Sequence, residues 1–493
     1  MASVNTASLR AQLDDCRAQF DAIKRTGKAG ADTLALINAL FLLLDILVAV
    51  FLEKTTRKTS ANSSIPPSQT DKDETARRGR ADSSKRARPN LQTGTGLRKT
   101  TIEETASVET CDACGADLTG IDPVSRERRI LYDIVFEVVE HRVDAEVKEC
   151  PDCRTRTKGR FPDAMPGPLQ YGIGLQAFII TLLVAHMLSL RRAAALVHAI
   201  CGLRLSEATC LGYVRRLHDA LEPWEQAAIV HLLERPALHA DETGFRVDSK
   251  TQWLHVVTDG SLTLKRLHRK RGREAIEEIG IIPRYTGVLI HDCWAAYLTY
   301  DQCSHQLCGS HVLRELTFVV DSNGYRWARL MKKLLREACH KVNKSETKTL
   351  TEAERLAIRK RYRTILTQGA RELPEIPPRP KGKRGRIAKS NAHNLHERLV
   401  KHEESVVRFM AEPAVSFTNN AGEQKIRMAK VKIKVSGCFR TQLYAEAWCR
   451  ISSYLSSMAA LGYNPLVAIQ IALAGNAADM IKMHDDKRDT KEG

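Results

Sequence analysis

The sequence predicts a multidomain α/β protein, and three observations predict it. A strand-rich stretch beginning near residue 238 delivers carboxylates to one sheet edge, long helical patterns lie on either side of it, and two Cys-x-x-Cys pairs flank a β-patterned segment upstream. At 493 residues, with domains of roughly 100–200 residues, the chain has material for three or four units. A hydrophobic share of 43% with 27% charged residues excludes a disordered tail, a small disulfide-stapled module and a multi-pass membrane protein. The net charge of +18 is a statement about partners: a large basic protein most often meets nucleic acid, with an anionic membrane as the alternative. Thirteen cysteines, behind a start without a basic-then-apolar leader, are expected to be reduced or metal-bound.

Residues 1–53 read as coiled-coil or zipper-like helices. Within them, 34–52 are apolar enough to span a bilayer. Asp45 near the middle would cost roughly 2.5–3.5 kcal/mol on insertion, and Ile37, Leu40, Leu44, Leu47 and Phe51 follow the 3-4 spacing of a zipper seam. A membrane helix and an ordinary core helix are the alternatives. Residues 54–107 read as a basic linker: between 54 and 99 stand 12 Lys or Arg and 4 Asp or Glu, with few large apolar side chains. Such a tether is either merely solvated or also slides on phosphates.

Residues 108–160 contain Cys111, Cys114, Cys150 and Cys153, with Ile130, Tyr132, Ile134, Phe136 and Val138 alternating between the pairs as a strand would. Four thiolates fill a tetrahedral shell and leave no open position, so this pattern predicts a zinc ribbon with a structural Zn(II). Residues 165–235 read as helical. A helix over 191–200, a turn at Cys201-Gly202-Leu203 and a second helix capped by Ser206 resemble a helix-turn-helix that offers Arg215 and Arg216 to DNA; a plain helical bundle fits equally well.

From Leu238 a strand ends in Asp241 and Glu242; strands at 253–257 and 262–265, a helix at 273–279 and an apolar strand ending in Asp292 follow. Acids delivered to one sheet edge suit a hard divalent cation such as Mg(II). A third acid, Glu423, follows two Asn that can cap a helix, with Lys425 and Arg427 nearby for phosphate. Glu242, adjacent on a strand, faces the other way from Asp241 and is expected to be supporting. Cys308 and His311, with His305, have metal-ligand spacing but are expected to be core residues beneath the sheet.

Seven ordered blocks carry a resemblance: His239-Ala-Asp-Glu-Thr-Gly-Phe-Arg-Val247, Trp253-Leu-His255, Arg271-Gly272, His291-Asp-Cys-Trp-Ala-Ala-Tyr297, Leu307-Cys-Gly-Ser-His-Val-Leu-Arg-Glu-Leu316, Asn419-Asn-Ala-Gly-Glu423 and Lys432-Ile-Lys-Val-Ser-Gly-Cys-Phe-Arg440. Together with Asn62-Ser-Ser-Ile-Pro-Pro-Ser68 they resemble the DDE transposases of the insertion-sequence sixty-six family over nearly the whole chain. The resemblance implies a ribonuclease-H-like core, residues 236–319 and 416–475, with a helical insertion at 320–415 and a tail at 476–493. It implies a triad of Asp241, Asp292 and Glu423 holding Mg(II) or Mn(II), its carboxylates ionised with ordinary or depressed pKa. The expected partners are double-stranded DNA (element ends and target), further copies of the chain, and accessory proteins of the element; no membrane is expected, and the place is the bacterial cytoplasm at the nucleoid. Asn420, Lys425, Arg427, Lys432, Lys434 and Arg440 are expected phosphate contacts. This chain departs from many relatives in having Gly422 and Gln424 around the Glu, which removes a cation beside it. The other reading is a non-catalytic DNA-binding protein acting at the same ends.

Overall fold

The computed structural model describes residues 6–25, 30–63, 103–131, 136–376 and 389–484. The linker over 64–102, residues 377–388 of the helical insertion, Tyr132 and Ile134 of the alternating segment, and the tail beyond 484 lie outside the described residues. In chain order come helices α1 (Thr6–Arg25) and α2 (Ala31–Thr55), then a short ribbon of β1 (Val147–Glu149) and β2 (Arg156–Lys158). Helices α3 (Ile173–Ile180), α4 (Leu190–Cys201), α5 (Glu207–Ala220) and α6 (Glu222–Leu233) follow. Strands β3 (Ala237–Val247), β4 (Lys250–Thr258) and β5 (Thr263–His268), helix α7 (Arg273–Ile279), and strands β6 (Val288–His291) and β7 (Ser304–Leu307) come next. The remainder is helical: α8 (Gly309–Asn323), α9 (Arg326–Lys344), α10 (Glu352–Glu372), α11 (Asn391–Lys401), α12 (Glu403–Val407), α13 (Asn420–Ser436), α14 (Gln442–Leu461) and α15 (Pro465–Leu473).

The chain divides into two compact units, residues 1–88 with 228–440, and residues 89–227 with 441–493. Helices α1 and α2 fall in the unit that holds the five-stranded sheet, and α14 and α15 in the unit that holds the cysteine pairs.

The first unit is built on one five-stranded sheet of order β5-β4-β3-β6-β7. β3 pairs antiparallel with β4 and parallel with β6; β4 and β5 are antiparallel, β6 and β7 parallel. β6, Val-Leu-Ile-His, is buried throughout, as a parallel strand covered on both faces must be. The β3–β4 connection has two residues, Asp248 and Ser249, both with positive φ, which gives the hairpin the twist its strands need. Asp241 and Glu242 lie inside β3 rather than at its end. The strand continues because Phe245 and Val247 keep facing inward and the segment at Phe439 pairs with Val247.

The helical insertion packs against β6 and β7. In α9, Trp327, Met331, Leu334, Leu335, Ala338 and Val342 recur at helical spacing and are all buried. They share one apolar cluster with Tyr362 of α10, Leu395 and Leu399 of α11, Phe409, and Ile290 and Leu307 of the sheet. Burying each large apolar side chain contributes about 1.5–3 kcal/mol, so the insertion is an extension of the core.

Among the described residues one unbroken helix, α2, is long and apolar enough to cross a membrane. Its charge at Asp45 is paired with Arg17 of α1 at 2.8 Å, and Phe20 meets Phe41 at 5.5 Å. The C-terminal end of α2 is docked on the helical layer. Ala49 and Leu52 are buried, Ala49 accepts a hydrogen bond from the Asn323 side chain, and the buried Glu53 carboxylate accepts the backbone N–H groups of Asn391 (2.7 Å) and Ala392 (3.0 Å). Ser390 accepts from His393 N, so α11 has its first N–H groups satisfied by two different side chains. The zipper positions Leu40, Leu44, Leu47 and Phe51 are exposed. The segment expected to begin the linker continues as helix to Thr55 and then a turn closed by buried Asn62, which reaches Asp321 at 3.2 Å.

In the second unit, α4 ends at Gly202 (φ +70°), and Ser206 caps α5 by accepting Thr209 N at 3.0 Å, the arrangement the turn and cap residues imply. Cys210, Val214 and Leu217 of α5 are buried, and Arg450 of α14 reaches buried Glu225 at 2.7 Å and the carbonyl of His218. Among the described residues of the alternating segment, Ile130, Leu131, Phe136, Val138 and Val139 have no regular structure and are exposed on both sides of the alternation, so they present no packed face that would select a strand.

Glu53→Ala removes the acceptor of two buried N–H groups, a loss of about 1–3 kcal/mol for each group left unsatisfied. Hydrogen exchange at the amides of Asn391 and Ala392 is expected to accelerate at least tenfold in the variant, with the β3–β4 amides unchanged.

Candidate metal-dependent active site

The acids of the site come from three elements of the first unit. Asp241 projects from β3, and its carboxylate accepts the Glu242 N–H at 2.9 Å. Asp292 follows the last residue of β6, where its Oδ1 accepts Trp294 N at 3.1 Å. Glu423 lies in the first turn of α13. Asp292 and Glu423 lie near enough to Asp241 to act on it through their charges: burial raises Asp241 to about 8, and Glu242, Asp292 and, least, Glu423 push it the same way. The expectation of an ordinary or depressed pKa fails at Asp241, because a carboxyl packed among like charges and screened from water favours its protonated form. Hard carboxylates are the donors a divalent cation such as Mg(II) takes, and such a cation would favour the ionised form, although among the described residues these three acids do not form one closed group of ligands.

Asn419 fixes α13 to the sheet. Its side chain was expected to cap the helix and does not; instead Nδ2 donates to the Ala240 carbonyl (2.8 Å) and Oδ1 accepts from His239 Nδ1 (2.9 Å). With the amide orientation set by the carbonyl, His239 carries its proton on Nδ1, and burial lowers its pKa so that the ring is neutral. The backbone N–H of Asn419 donates to Cys308 Sγ at 3.2 Å. Gly422 makes this possible: a Cβ there would stand 3.0 Å from Asn419 Oδ1. The far end of α13 is held too, by Asp248 N to Phe439 O (2.8 Å) and Phe439 N to Arg246 O (2.9 Å), with Phe439 stacked on Phe245.

Glu242 points away from Asp241 into a different set of partners, as strand geometry requires. Its buried carboxylate accepts from Arg271 (2.6 and 2.9 Å) and from Tyr297 Oη (2.6 Å). Arg271 is itself held over the rings of Trp294 (4.3 Å) and Trp253 (4.9 Å). Burial raises the pKa of Glu242 even so, with the Tyr297 and Arg271 bonds opposing the rise.

The cation missing at Gln424 is supplied from α8. Arg314 stands 4.0 Å and His311 Nδ1 3.6 Å from Glu423 Oε1. Residue spacing within the Asn-Asn block could not reveal Arg314, which lies on another helix; the signal was the Ser-His-Val-Leu-Arg run after β7. Cys308 is buried as expected, its sulfur 4.0 Å from Glu423 Oε1. His305 does not join it: its ring bonds to His291 (3.1 Å) and to the Tyr300 carbonyl (3.0 Å).

The expected phosphate contacts divide. Asn420, Arg427, Lys434 and Arg440 are exposed; Lys425 and Lys432 are half-buried, with burial lowering the pKa of both, and Lys432 lies 5.5 Å from the Phe439 ring. Lys432 and Lys434 stand on helix α13, which also exposes Lys430, absent from the expected set. In the second unit Arg215 is exposed with Asp219 4.0 Å away, whereas Arg216 reaches back to Gln176 at 3.4 Å. Each cysteine pair forms a knuckle of the same design: Gly115 N and Arg154 N bond back to the carbonyls of Cys111 and Cys150, and both turn residues have positive φ. Backbone N–H groups of Ala113 and Cys114, then the Cys114 side chain, lower the Cys111 thiol; the Thr155 hydroxyl leads the lowering of Cys153. Each half fits a thiophilic metal, but among the described residues the two halves are not drawn into one group of ligands.

Asn419→Ala leaves the Ala240 carbonyl and the His239 N–H without their bonds in a buried site, a loss of about 2–4 kcal/mol; urea denaturation followed at the sheet is expected to show it. The Asp241 pKa sets a second expectation. Because its folded value of about 8 lies above the ordinary 3.8, the folded state keeps a proton that the unfolded chain loses, so stability is full below 3.8 and declines as pH rises through that window. In a chelator, the melting temperature of Asp241→Asn is therefore expected to gain on wild type between about pH 4 and 8 and to hold a constant lead above.

No curated protein matches the chain in a sequence comparison. A family model, Transposase IS66 family, matches residues 168–447, more than half the chain and all three acids. The chain belongs to the Transposase IS66 family.

Proposed function

We propose that this chain is a DDE-type DNA transposase that binds the ends of its insertion sequence, cleaves a phosphodiester there and joins the freed end to target DNA. The observation that carries the reading is that Asp241 of β3, Asp292 after β6 and Glu423 of α13, each from a different element, lie near enough for the charges of Asp292 and Glu423 to act on Asp241. The strand order β5-β4-β3-β6-β7, antiparallel on one side of β3 and parallel on the other, supports a ribonuclease-H-like core around them.

In this reading Asp241, Asp292 and Glu423 hold Mg(II) or Mn(II), which supplies charge for an in-line displacement by activating a water and stabilising the leaving 3′ oxygen. The protein's own residues fix the geometry. Asn419 holds Glu423 to the strand that carries Asp241, and Trp294 N orients Asp292. Arg271 and Tyr297 keep the Glu242 carboxylate turned to their own side of the strand. The exposed cations Arg427, Lys434 and Arg440 and the helix-turn-helix residues Arg215 and Arg216 contact phosphate, which positions DNA without reading it. Cys111, Cys114, Cys150 and Cys153 close on a structural Zn(II). The exposed zipper positions of α2 serve self-association, accessory proteins of the element assist, and the protein works in the cytoplasm at the nucleoid.

The test is nicking of labelled DNA carrying the element's own ends, in Mg(II) or Mn(II), for wild type and Asp292→Ala. Loss of a metal ligand removes several kcal/mol of transition-state stabilisation, so nicking is expected to fall about 10²–10⁴-fold while end binding in a gel shift is retained. Binding without nicking by both proteins overturns the catalytic reading in favour of a DNA-binding protein acting at the same ends.

A further inference from the structure

The catalytic glutamate has a second set of neighbours whose chemistry differs from that of the acids. Cys308 and His311 stand three residues apart at the start of α8, a spacing that puts both on one face of the helix. Cys308 Sγ, a His311 ring nitrogen and a Glu423 oxygen lie within 4.8 Å of one another, with 3.6 Å between His311 Nδ1 and the carboxylate and 4.0 Å between the sulfur and the carboxylate. Metal bonds of about 2.0–2.3 Å in a tetrahedron set ligand atoms about 3.5 Å apart, so the two contacts to Glu423 already lie within about half an ångström of that spacing. His311 Nδ1 is buried and makes no hydrogen bond, and with Cys308 Sγ and Glu423 beside it its lone pair is placed to bind a cation.

The donor set decides the cation. Mg(II) takes oxygen ligands in an octahedron, whereas a thiolate, an imidazole and a carboxylate suit Zn(II) and related thiophilic cations. We propose that Cys308, His311 and Glu423 form a three-ligand site for a thiophilic divalent cation of the zinc type, and that its occupation withdraws Glu423 from the triad and stops DNA cleavage. The inhibitory half of this inference rests on the function proposed above for Glu423; the site itself does not. On binding, the Cys308 thiol gives its proton to solvent as the metal–sulfur bond forms, and no oxidant or reductant takes part. Arg314, 4.0 Å from the same Glu423 oxygen and partly exposed, swings toward solvent as the cation takes its place.

The experiment uses the full chain, stripped of metal and titrated with Co(II), whose thiolate-to-metal absorption reports sulfur ligation. The cysteine knuckles contribute equally to wild type and Cys308→Ser, so the difference between them isolates this site. Wild type is expected to bind one further equivalent with an added charge-transfer band; Cys308→Ser loses the band, and His311→Gln, a change on a partly exposed helix face that keeps the fold, weakens it at least about tenfold. Identical stoichiometry and spectra for wild type and both variants overturn the proposal. Micromolar Zn(II), added to nicking reactions in Mg(II), is expected to inhibit wild type at least tenfold more strongly than Cys308→Ser, each measured against its own rate without zinc. Equal inhibition overturns the inhibitory role. A Cys308-dependent cobalt band in a protein that never nicks DNA upholds the site and overturns the catalytic reading instead.

Discussion

The bond pair from the Asn419 side chain to β3 is the constraint on which the site depends. A helix and a strand that approach only through apolar packing can slide by an ångström, and a metal-binding acid tolerates far less. One amide that donates to the Ala240 carbonyl and accepts from His239 fixes the start of α13 both along β3 and across it. The same residue's backbone N–H ties α13 to the first turn of α8 through Cys308. Gly309 completes this junction: its N–H bonds to the Phe417 carbonyl, and a Cβ there would lie inside the Phe417 ring. The starts of two helices and the body of β3 are thus pinned at one point. The partial positive charge of the two helix N-termini favours a carboxylate placed where Glu423 stands.

Because the joint is polar, it needs a dry and rigid surround to hold its geometry. The helical insertion supplies one. Its apolar cluster runs from Trp327 and Tyr362 through Phe409 to Ile290 and Leu307, and Phe417, next to the joint, packs on its margin. The insertion interrupts the chain between Asp292 and Glu423 without separating them, since what it adds is core beneath β6 and β7. The capping of α11 by Glu53 extends the same layer to α2. A helix that composition alone marks as a membrane candidate is held at this end by a buried carboxylate and at its middle by an ion pair with Arg17.

Much of this was legible in the sequence, and the division between what was and was not has a physical cause. Local signals read well: Gly202 and Ser206 bound their helices, α7 begins and ends where its pattern does, and the all-apolar β6 is the buried strand it resembles. Glu242 could be set apart from Asp241 because alternation along a strand is a property of the backbone. What failed depends on partners distant in the chain. Alternating apolar residues over 130–138 need a face to pack on, and the described ones have none. Two asparagines before a helix look like caps, but Asn419 finds better acceptors and donors on β3. The cation lost at Gln424 returns as Arg314 from another helix, which no spacing rule could locate.

The contrast between the two adjacent acids of β3 shows how the fold separates charge. Glu242 is buried with an arginine and a tyrosine, and that arginine is held in turn between two tryptophans. Its environment is finished, and breaking it would strand a buried charge at a cost of about 3–5 kcal/mol. Asp241, one residue away, faces acids and is left protonated near neutrality by burial and repulsion. A structure stabilised only for itself would pair both. Left unpaired near two more acids, Asp241 is the group at which, in the function proposed above, a divalent cation would displace the proton and offset the repulsion that ionisation brings.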